Sequence, residues 1–236
     1  MKTAVIIAGG EGQRLMPLTK NRPKTMVKVL NKPILYWILR WLKKYGIEHV
    51  VLGVAYKKET IYKYMKANNN FGLKVDFSEH TVKGGTAEAF KLAIERFVRD
   101  ENFLAMNSDE LTNMNLSEMI RKHMKHKPLV TMAIAPFYCR FSVVKVNRRK
   151  RVVGFEYGKK LPSIQVSNGV YIFNSAIKKH LPSKGSIENL VFTKLAKKGH
   201  ILAHHLKDGE GWISINTLKD RKDAEEALRT WTSEAL

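Results

Sequence analysis

A glycine-rich segment near the start of the chain carries the strongest chemical signal in the sequence. Gly9, Gly10 and Gly12 directly follow a short apolar run, and glycines after a strand let backbone N–H groups approach phosphate oxygens closely. Two cationic side chains, Arg14 and Lys24, follow within the same segment. The segment lacks the Gly-Lys-Ser/Thr ending of a P-loop and the glycine spacing of a dinucleotide-binding turn. Glycines alone would fit an ordinary turn, but the accompanying cations favour phosphate binding.

A carboxylate lies at the end of another predicted strand. Asp109 closes the segment Asn107-Ser108-Asp109, which follows the apolar residues 103–106. A carboxylate in this position can hold Mg2+ against phosphate oxygens, although a lone aspartate more often caps a turn. The guanidinium of Arg14 can form two parallel hydrogen bonds with a phosphate, and the ammonium of Lys24 offers a compact positive charge. Taken alone, Lys24 fits a solvated loop lysine better than a phosphate ligand, so these residue types are compatible with a phosphate site without singling it out.

The composition gives the chain a strong positive charge. Its 236 residues include 42 Lys and Arg against 21 Asp and Glu, for a net charge of +21 and a pI near 10.0. Such a balance attracts anions, including nucleotides and nucleic acids. The one run of four basic residues, Arg148–Arg151, lies between two β-like segments and predicts a hairpin tip. No recognised nucleic-acid-binding motif accompanies it, so we do not expect nucleic acid to be a partner.

Neither membrane insertion nor disulfide bonding is expected. The apolar stretch from Ile34 to Leu42 is interrupted by Arg40 and is too short to span a bilayer. Cys139 is the one cysteine in the sequence, so no intrachain disulfide can form, and we expect it to be a small core residue. This cysteine usage indicates a reducing compartment and predicts a cytoplasmic protein.

The elements that must position these residues alternate between strands and helices in the first half of the chain. Apolar, β-branched runs are followed by segments whose apolar residues recur at helical spacing. This rhythm predicts a mostly parallel sheet with helices on both faces, and such sheets bind ligands at the carboxyl ends of their strands. The predicted strands are residues 3–8, 50–54, 73–77 and 103–106, and the predicted helices are 33–45, 57–66 and 86–97.

The second half of the chain has a more antiparallel character. Strands are predicted at 130–135, 142–146, 152–155, 170–173 and 201–204, and helices at 187–197 and 218–229. Ser186 is positioned to cap the first of these helices. Since no linker or internal repeat divides the chain, we predict one domain over residues 1–236, with a lid-like region around residues 137–180.

The sequence resembles that of the sugar-1-phosphate nucleotidylyltransferases. Their signature runs Gly-Gly-x-Gly-x-Arg-Leu-x-Pro-Leu-Thr and then Pro-Lys, and every one of these residue types is present between Gly9 and Lys24. The family includes glucose-1-phosphate thymidylyl- and uridylyltransferases and mannose-1-phosphate guanylyltransferases. The resemblance implies an α/β fold, a Rossmann-like three-layer α/β/α sandwich with a mixed, mostly parallel sheet and a small antiparallel lid-like region. Further matching segments, spread over nearly the whole chain, are Lys32–Leu35, Gly85–Ala87, Asn107–Asp109 and Asn168–Phe173.

The resemblance also implies a reaction and its partners. An enzyme of this family transfers a nucleoside monophosphate from a nucleoside triphosphate (NTP) to a sugar 1-phosphate, with Mg2+ as cofactor, and releases pyrophosphate. The sugar phosphate is already an anionic nucleophile, so no general base is required, and positioning and electrostatics carry the catalysis. Similar short enzymes are often dimers or tetramers, so analogy suggests a homo-oligomer, but the sequence leaves the oligomeric state open. The sequence leaves the identity of the base and of the sugar open.

The site residues that the resemblance implies fall into four groups. The catalytic group is Arg14, Lys24 and Asp109, and the metal group is Asp109 and Asn216. The nucleotide-binding group is Ala8, Gly9, Gly10, Gly12, Glu79, Gly85 and Thr86. The sugar-binding group is Asn107, Glu156, Asn168 and Gly169.

Two departures from the family pattern bear on these assignments. Ser108 stands where relatives usually have glycine, and Ser214 stands where many relatives carry an aspartate that binds the metal. Asn216 resembles a metal-binding asparagine of other branches, but it could equally cap the final helix, and the sequence leaves both roles open. Ser214 and the high charge also motivate an alternative, a non-catalytic relative that serves as a regulatory or scaffold protein. The intact catalytic group favours the enzyme.

Overall fold

A seven-stranded sheet forms the centre of the structure, a computed structural model that describes residues 1–231. The strands are β1 (Thr3–Ile7), β2 (Lys28–Val29), β3 (Lys32–Pro33), β4 (His49–Val54), β5 (Lys74–Glu79), β6 (Asn102–Asn107), β7 (Glu110–Thr112), β8 (Val130–Val146), β9 (Val152–Asn174), β10 (Ile201–His205) and β11 (Trp212–Ser214). Those of the central sheet lie in the order β10-β8-β9-β6-β1-β4-β5. Two small antiparallel sheets are formed by β2 with β3 and by β7 with β11.

Strand directions confirm the predicted mixed, mostly parallel sheet. β1 pairs in parallel with β4 and β6, β4 with β5, and β8 with β10. β9 runs antiparallel between β6 and β8. Because β1 and β6 are parallel neighbours, the chain leaves both strands at the same edge of the sheet, where ligands of such folds bind. This edge brings the glycine-rich loop and Asp109 side by side.

Helices cover both faces of the sheet and make it a three-layer sandwich. They are α1 (Ile34–Lys44), α2 (Glu59–Ala67), α3 (Gly85–Phe97), α4 (Leu116–His126), α5 (Thr193–Lys197), which follows a π-helical turn at Glu188–Phe192, and α6 (Leu218–Thr230). One face packs against α1, α2, α4 and α6, and the other against α3 and α5. Along β1 the side chains alternate between the two buried clusters, Ala4 and Ile6 in one and Val5 in the other. No helix among residues 1–231 combines the length and the apolarity needed to cross a membrane.

Helix α1 shows how the sequence pattern produces this packing. Pro33 directly precedes it, at a position where the missing N–H has no helical partner to lose. Each large apolar side chain that α1 buries in the core contributes about 1.5–3 kcal/mol, and together these side chains fix α1 on the sheet. Trp41 satisfies its one polar atom by donating from Nε1 to the carbonyl of Met114 (3.1 Å). The buried residues of α1 recur at helical spacing and are Ile34, Leu35, Ile38, Leu39, Trp41 and Leu42.

The second half of the chain differs from the prediction in its element boundaries. The four predicted strands between residues 130 and 173 are parts of β8 and β9, because register shifts let both strands continue through the irregular positions. The predicted helix 187–197 is a π-helical turn followed by α5. Ser186 accepts a hydrogen bond from the N–H of Asn189 (3.2 Å), as predicted for a cap. Helix α4 has no counterpart in the prediction because its sequence is mostly polar, with only Leu116, Met119 and His123 buried.

The outer parts of β8 and β9 form a two-stranded hairpin arm over residues 137–167. Within the described residues they pair only with each other, and the basic segment Arg148–Arg151 lies at the tip, as predicted. Phe141 and Phe155 are 80% and 70% exposed. Cys139 lies on this arm and is half-buried, so the prediction of a core residue is wrong. The arm is shorter than the predicted lid-like region, residues 137–180, because the end of β9 belongs to the central sheet.

Candidate active site

The loop that follows β1 is closed by hydrogen bonds at its base. The backbone N–H of Lys24 donates to the carbonyl of Gly10 (3.3 Å), and the Thr19 hydroxyl donates to the carbonyl of Gly12 (2.9 Å). Leu15 is fully buried and anchors the loop in the core. Gly12 has a φ of +65°, and a β-carbon there would lie 3.0 Å from the side chains of both Lys24 and Thr19. The loop therefore requires glycine at this position and holds Lys24 at the sheet edge.

Four side chains that the sequence singles out meet at this edge. Lys24 forms an ion pair with Asp109, and its Nζ donates a hydrogen bond to Oδ1 of Asn216 (2.9 Å). Nη2 of Arg14 donates to the same amide oxygen (2.7 Å). The side chains of Lys24 and Asp109 are 13% and 21% exposed, so water screens their charges poorly. The predicted catalytic and metal groups thus form one cluster.

The cluster lines an open cavity of about 560 Å³, a volume within the usual range for small-molecule sites. Of the predicted nucleotide-binding residues, Gly10, Gly12 and Thr86 line the cavity, whereas Ala8 and Gly9 belong to the start of the loop and do not. Ile7 and Gln13 also line it, although their residue types gave no chemical signal in the sequence. The lining residues are Ile7, Gly10, Gly12, Gln13, Arg14, Lys24, Thr86, Asn107, Ser108, Asp109 and Asn216.

The turn before α6 orients Asn216. Its backbone N–H donates to Oδ2 of Asp220 (2.9 Å), which also accepts from the N–H of Thr217 (2.8 Å). The Thr217 hydroxyl accepts from the N–H of Asp220 (3.2 Å), which completes a capping box. Thr217 therefore caps α6, and the alternative that Asn216 is the cap is wrong. The Asn216 side chain is left to face the cavity.

The hairpin arm contributes to the same turn. Nη1 of Arg140 lies 2.5 Å from Oδ1 of Asp220. Burial raises the pKa of Asp220, but Arg140 and the donors of the capping turn outweigh it and hold the pKa below its usual value. The carboxylate that fixes the backbone of Asn216 is therefore itself held in its ionised form by the arm.

A buried carboxylate that the sequence analysis does not single out lies beside the cluster. Glu110, on β7, accepts hydrogen bonds from Nε1 of Trp212 (2.6 Å) and from the hydroxyl of Ser214 (3.1 Å) on β11. Burial and the charge of Asp109 raise the pKa of Glu110, while its two donors and a nearby lysine oppose that rise. Ser214 in turn accepts a hydrogen bond from Nδ2 of Asn216 (2.7 Å). The adjacency of Glu110 to Asp109 is its one signal in the sequence.

The first turn of α3 forms another part of the cavity wall. The Thr86 hydroxyl donates to Oε2 of Glu188 (3.1 Å) and accepts from the N–H of Ile187 (2.9 Å). This hydroxyl is already engaged, and the N–H of Ala87 in the same turn donates to the carbonyl of Gly185 (2.9 Å). The backbone ahead of Ala87 is therefore the part of the turn that a ligand could reach, and N–H groups at a helix start favour anions. The arrangement fits the predicted role of Gly85 and Thr86, which stays a prediction.

Asn107, Asn168 and Gly169 lie close to one another beside the cluster. Asn107 ends β6 and lines the cavity. Gly169 has a φ of +73°, and a β-carbon there would lie 2.8 Å from Cγ of Glu110 and 3.1 Å from Nδ2 of Asn107, so glycine is required. Asn168 is fully buried; its Oδ1 accepts from the N–H of Val170 (3.2 Å), and its Nδ2 has no partner among residues 1–231.

The structure does not bring Glu79 into the cavity. It ends β5, where its carboxylate accepts hydrogen bonds from Nζ of Lys58 (2.5 Å) and from the hydroxyl of Tyr62 (2.9 Å). These two partners lower the pKa of Glu79, whereas burial and the contact with Glu79 raise the pKa of Tyr62 to about 12. The partners of the Glu79 carboxylate thus lie in α2 and in the turn that precedes it.

Glu156 is also remote from the cluster. It lies on the hairpin arm, where its carboxylate forms ion pairs with Lys145 (3.2 Å) and Lys159. Asn168 follows it in β9 twelve positions later, a separation of up to about 40 Å in an extended strand. The predicted sugar-binding group is therefore divided between the sheet edge and the arm.

Known proteins resemble this chain in sequence over most of its length. The family described as nucleotidyl transferase matches residues 3–230. The chain is 34% identical over 176 residues to the D-glycero-alpha-D-manno-heptose 1-phosphate guanylyltransferase of Aneurinibacillus thermoaerophilus, covering 74% of this chain and 75% of that protein. It is 30% identical over 224 residues to the mannose-1-phosphate guanylyltransferase catalytic subunit beta of Xenopus tropicalis, covering 92% of this chain but 62% of that protein.

Solved structures share the fold. The crystal structure of HddC from Yersinia pseudotuberculosis is similar with a TM-score of 0.77 and 25% identity, over 97% of this chain and 100% of that one. A structure of UDP-glucose pyrophosphorylase complexed with UDP-glucose is similar with a TM-score of 0.75, over 98% of this chain and 100% of that one. Its 17% identity shows a common fold alone.

Proposed function

This chain belongs to the nucleotidyl transferase family, in its sugar-1-phosphate nucleotidylyltransferase branch, and from that premise we propose that it transfers a nucleoside monophosphate from an NTP to a sugar 1-phosphate. The observation that carries the proposal is the convergence of Arg14, Lys24, Asp109 and Asn216 on one cavity. A regulatory or scaffold relative would need no such cluster of poorly screened charges.

The proposed reaction brings two anions together. An oxygen of the sugar 1-phosphate attacks the α-phosphorus, a new P–O bond forms, and the bond from the α-phosphorus to pyrophosphate breaks. The nucleophile is already ionised, so the chain needs to supply no base. The guanidinium of Arg14 can bind two triphosphate oxygens, and the ammonium of Lys24 can offset charge on the reacting phosphates. Fixed charges of this kind often contribute the largest share of catalysis.

We also propose that Mg2+ is the cofactor. The carboxylate of Asp109 and the amide oxygen of Asn216 both contact one cation in this structure, the Lys24 ammonium, and both are hard oxygen donors of the kind that Mg2+ prefers. Among residues 1–231 no group of three or more His, Cys, Asp and Glu side chains could hold a metal. This fits an ion held by one or two side chains and by substrate phosphates. When bound, it would supply positive charge to the phosphate oxygens.

The names of the relatives support a more specific reaction. Both curated relatives are guanylyltransferases, and their sugar phosphates, a manno-heptose 1-phosphate and mannose 1-phosphate, share the manno configuration. We therefore propose GTP as the donor and a manno-configured sugar 1-phosphate as the acceptor.

We further propose that the protein acts in the cytoplasm as a homo-oligomer. The single cysteine suits a reducing compartment, and the exposed Phe141 and Phe155 of the hairpin arm suit contact with a second copy. Size-exclusion chromatography with light scattering measures the oligomeric state.

A substrate panel tests the proposed reaction. The protein is incubated with Mg2+, each of the five common triphosphates, and sugar 1-phosphates that include mannose 1-phosphate, a manno-heptose 1-phosphate and glucose 1-phosphate. We expect pyrophosphate and a GDP-sugar with GTP and the manno-configured acceptors. Asp109→Asn should abolish turnover, whereas Lys20→Ala, a loop lysine outside the cavity, should leave the rate within about twofold. No product with any pair, at high enzyme concentration, would favour the scaffold alternative.

A further inference from the structure

The orientation of one carboxamide determines what the cavity presents to its ligands. Oδ1 of Asn216 accepts hydrogen bonds from Arg14 (2.7 Å) and from Lys24 (2.9 Å). If the carboxamide were flipped, its NH2 group would face these two cations, and three donors would point at one another. Something in the structure must therefore keep the amide oxygen on the cavity side.

The hydroxyl of Ser214 sets the orientation of the carboxamide, because it has a single proton to donate. Ser214 Oγ lies 2.7 Å from Nδ2 of Asn216 and 3.1 Å from Oε1 of Glu110. In its ionised form the Glu110 carboxylate can only accept hydrogen bonds, so the hydroxyl proton goes to Glu110, which is the direction seen in the structure. The serine oxygen can then only accept from Asn216, and the NH2 group of the carboxamide must face it.

The carboxylate of Glu110 is itself fixed. Its other oxygen, Oε2, accepts from Nε1 of Trp212 (2.6 Å), and an indole N–H can only donate. Glu110 is buried, and its Cγ lies next to the backbone of Gly169, which leaves the side chain little room to rotate. A series of hydrogen bonds therefore runs from Trp212 through Glu110 and Ser214 to Asn216, and each of them has a fixed donor and a fixed acceptor.

We propose that Glu110 is a positioning residue which, through Ser214, sets the carboxamide of Asn216 so that its oxygen faces Arg14, Lys24 and the proposed metal position. Glu110 does not line the cavity and reaches the carboxamide of Asn216 through this relay. The hydrogen-bond relay is independent of the proposed function, and its kinetic consequence rests on that function.

An isosteric substitution reverses the relay. In Glu110→Gln the amide oxygen must accept from Trp212, so the new NH2 group faces Ser214 and donates to it. The serine proton then turns toward Asn216, where it finds an acceptor only if the carboxamide flips. The NH2 group of Asn216 would then face Lys24 and Arg14.

A double-mutant cycle in kcat/KM tests the consequence. We expect Glu110→Gln to lower kcat/KM by about tenfold or more in the chain with Asn216, and by about threefold or less in an Asn216→Asp background, since a carboxylate has no amide to flip. The Mg2+ concentration for half-maximal rate should rise in the first case only. Equal losses in the two backgrounds would show a general structural effect and overturn the proposal, as would an unchanged rate in Glu110→Gln.

Ser214 offers a second pair of variants in case the buried Gln impairs folding. Ser214→Ala removes the relay and should lower kcat/KM by about tenfold. Ser214→Thr keeps the hydroxyl and should retain activity within about threefold. Equal activity of the two variants would contradict the relay.

An activity-independent readout is the side-chain amide of Asn216 in a 1H–15N spectrum, assigned by its absence in Asn216→Asp. We expect its two proton resonances to shift in Glu110→Gln and Ser214→Ala and to stay near the wild-type positions in Ser214→Thr. Unshifted resonances in Glu110→Gln would refute the relay. Shifted resonances in a protein that is inactive with every substrate pair would instead count against the proposed function and leave the relay intact.

Discussion

Removing the Lys24 ammonium should have opposite effects on metal binding and on turnover. In the structure this one cation contacts both oxygens that we propose as metal ligands, on Asp109 and on Asn216. A divalent ion that approaches these oxygens must displace the ammonium or share them with it. In Lys24→Met the side chain keeps its length and apolar stem but loses the charge, so the competition at Asp109 ends and only Arg14 still donates to the oxygen of Asn216.

The magnitude follows from the geometry. Two unit charges about 4 Å apart attract by about 4 kcal/mol at the effective dielectric of a protein surface. The side chains of Lys24 and Asp109 are 13% and 21% exposed, and the cost of their desolvation offsets much of that attraction. A net of about 1–2 kcal/mol predicts that Mn2+ alone binds Lys24→Met about five- to thirtyfold more tightly than wild type.

Turnover should change in the other direction. Loss of a positive charge that faces the reacting phosphates should lower kcat/KM by about 100- to 1,000-fold. Metal binding is measured by the decrease of the free Mn2+ EPR signal, and turnover by pyrophosphate release. Lys20→Met serves as the matched control, because Lys20 belongs to the same loop but does not line the cavity. Weaker Mn2+ binding in Lys24→Met, or a loss of turnover below tenfold, would refute the reasoning.

Three further predictions concern the loop, the cation fork and a buried histidine. Arg14→Lys replaces a planar fork by a point charge, so KM for the triphosphate should rise by about tenfold or more in steady-state assays, and an unchanged KM would contradict this role. Gly12→Ala should lower the free energy of unfolding in urea by about 1–2 kcal/mol more than Gly46→Ala, because both positions have positive φ but only Gly12 has side chains within 4 Å of a β-carbon. Burial lowers the pKa of His123 to about 4, below the value of about 6.5 in an unfolded chain. As the pH falls, the unfolded state therefore binds the proton first. The free energy of unfolding should fall by about 3 kcal/mol between pH 6.5 and pH 4. Urea titrations should show a smaller fall in His123→Gln, and equal falls would exclude this histidine as the cause.

The first half of the fold could be predicted from the sequence because its signals are local. Apolar, β-branched runs gave β1, β4, β5 and β6, and the spacing in α1 and α3 gave helices. The boundaries in β8 and β9 could not be predicted in the same way. Their register shifts at irregular positions depend on the partner strand, and two neighbouring strands must be seen together before a bulge can be distinguished from a strand end.

The candidate site shows the same division. Arg14, Lys24 and Asp109 lie in short recognisable segments, and they meet because parallel strands end at one sheet edge. Glu110 carried no motif, since its partners on β11 are more than a hundred residues away in sequence. Glu79 is assigned to the nucleotide-binding group through the family resemblance, but a resemblance does not reveal that Lys58 and Tyr62, which precede it in the chain, hold its carboxylate.

The contact between Arg140 and Asp220 has a consequence for shortened forms of the protein. Asp220 fixes the backbone before α6 and receives the arm at the same time. A fragment that stops ahead of this residue would still contain the entire glycine-rich signature and Asp109, yet the backbone of Asn216 would lose the carboxylate that fixes it and the arm would lose its ion pair with that carboxylate. Genomic surveys that count enzymes of this kind by the signature alone would therefore include inactive truncations, and the presence of the last helix is the better criterion for an intact gene product.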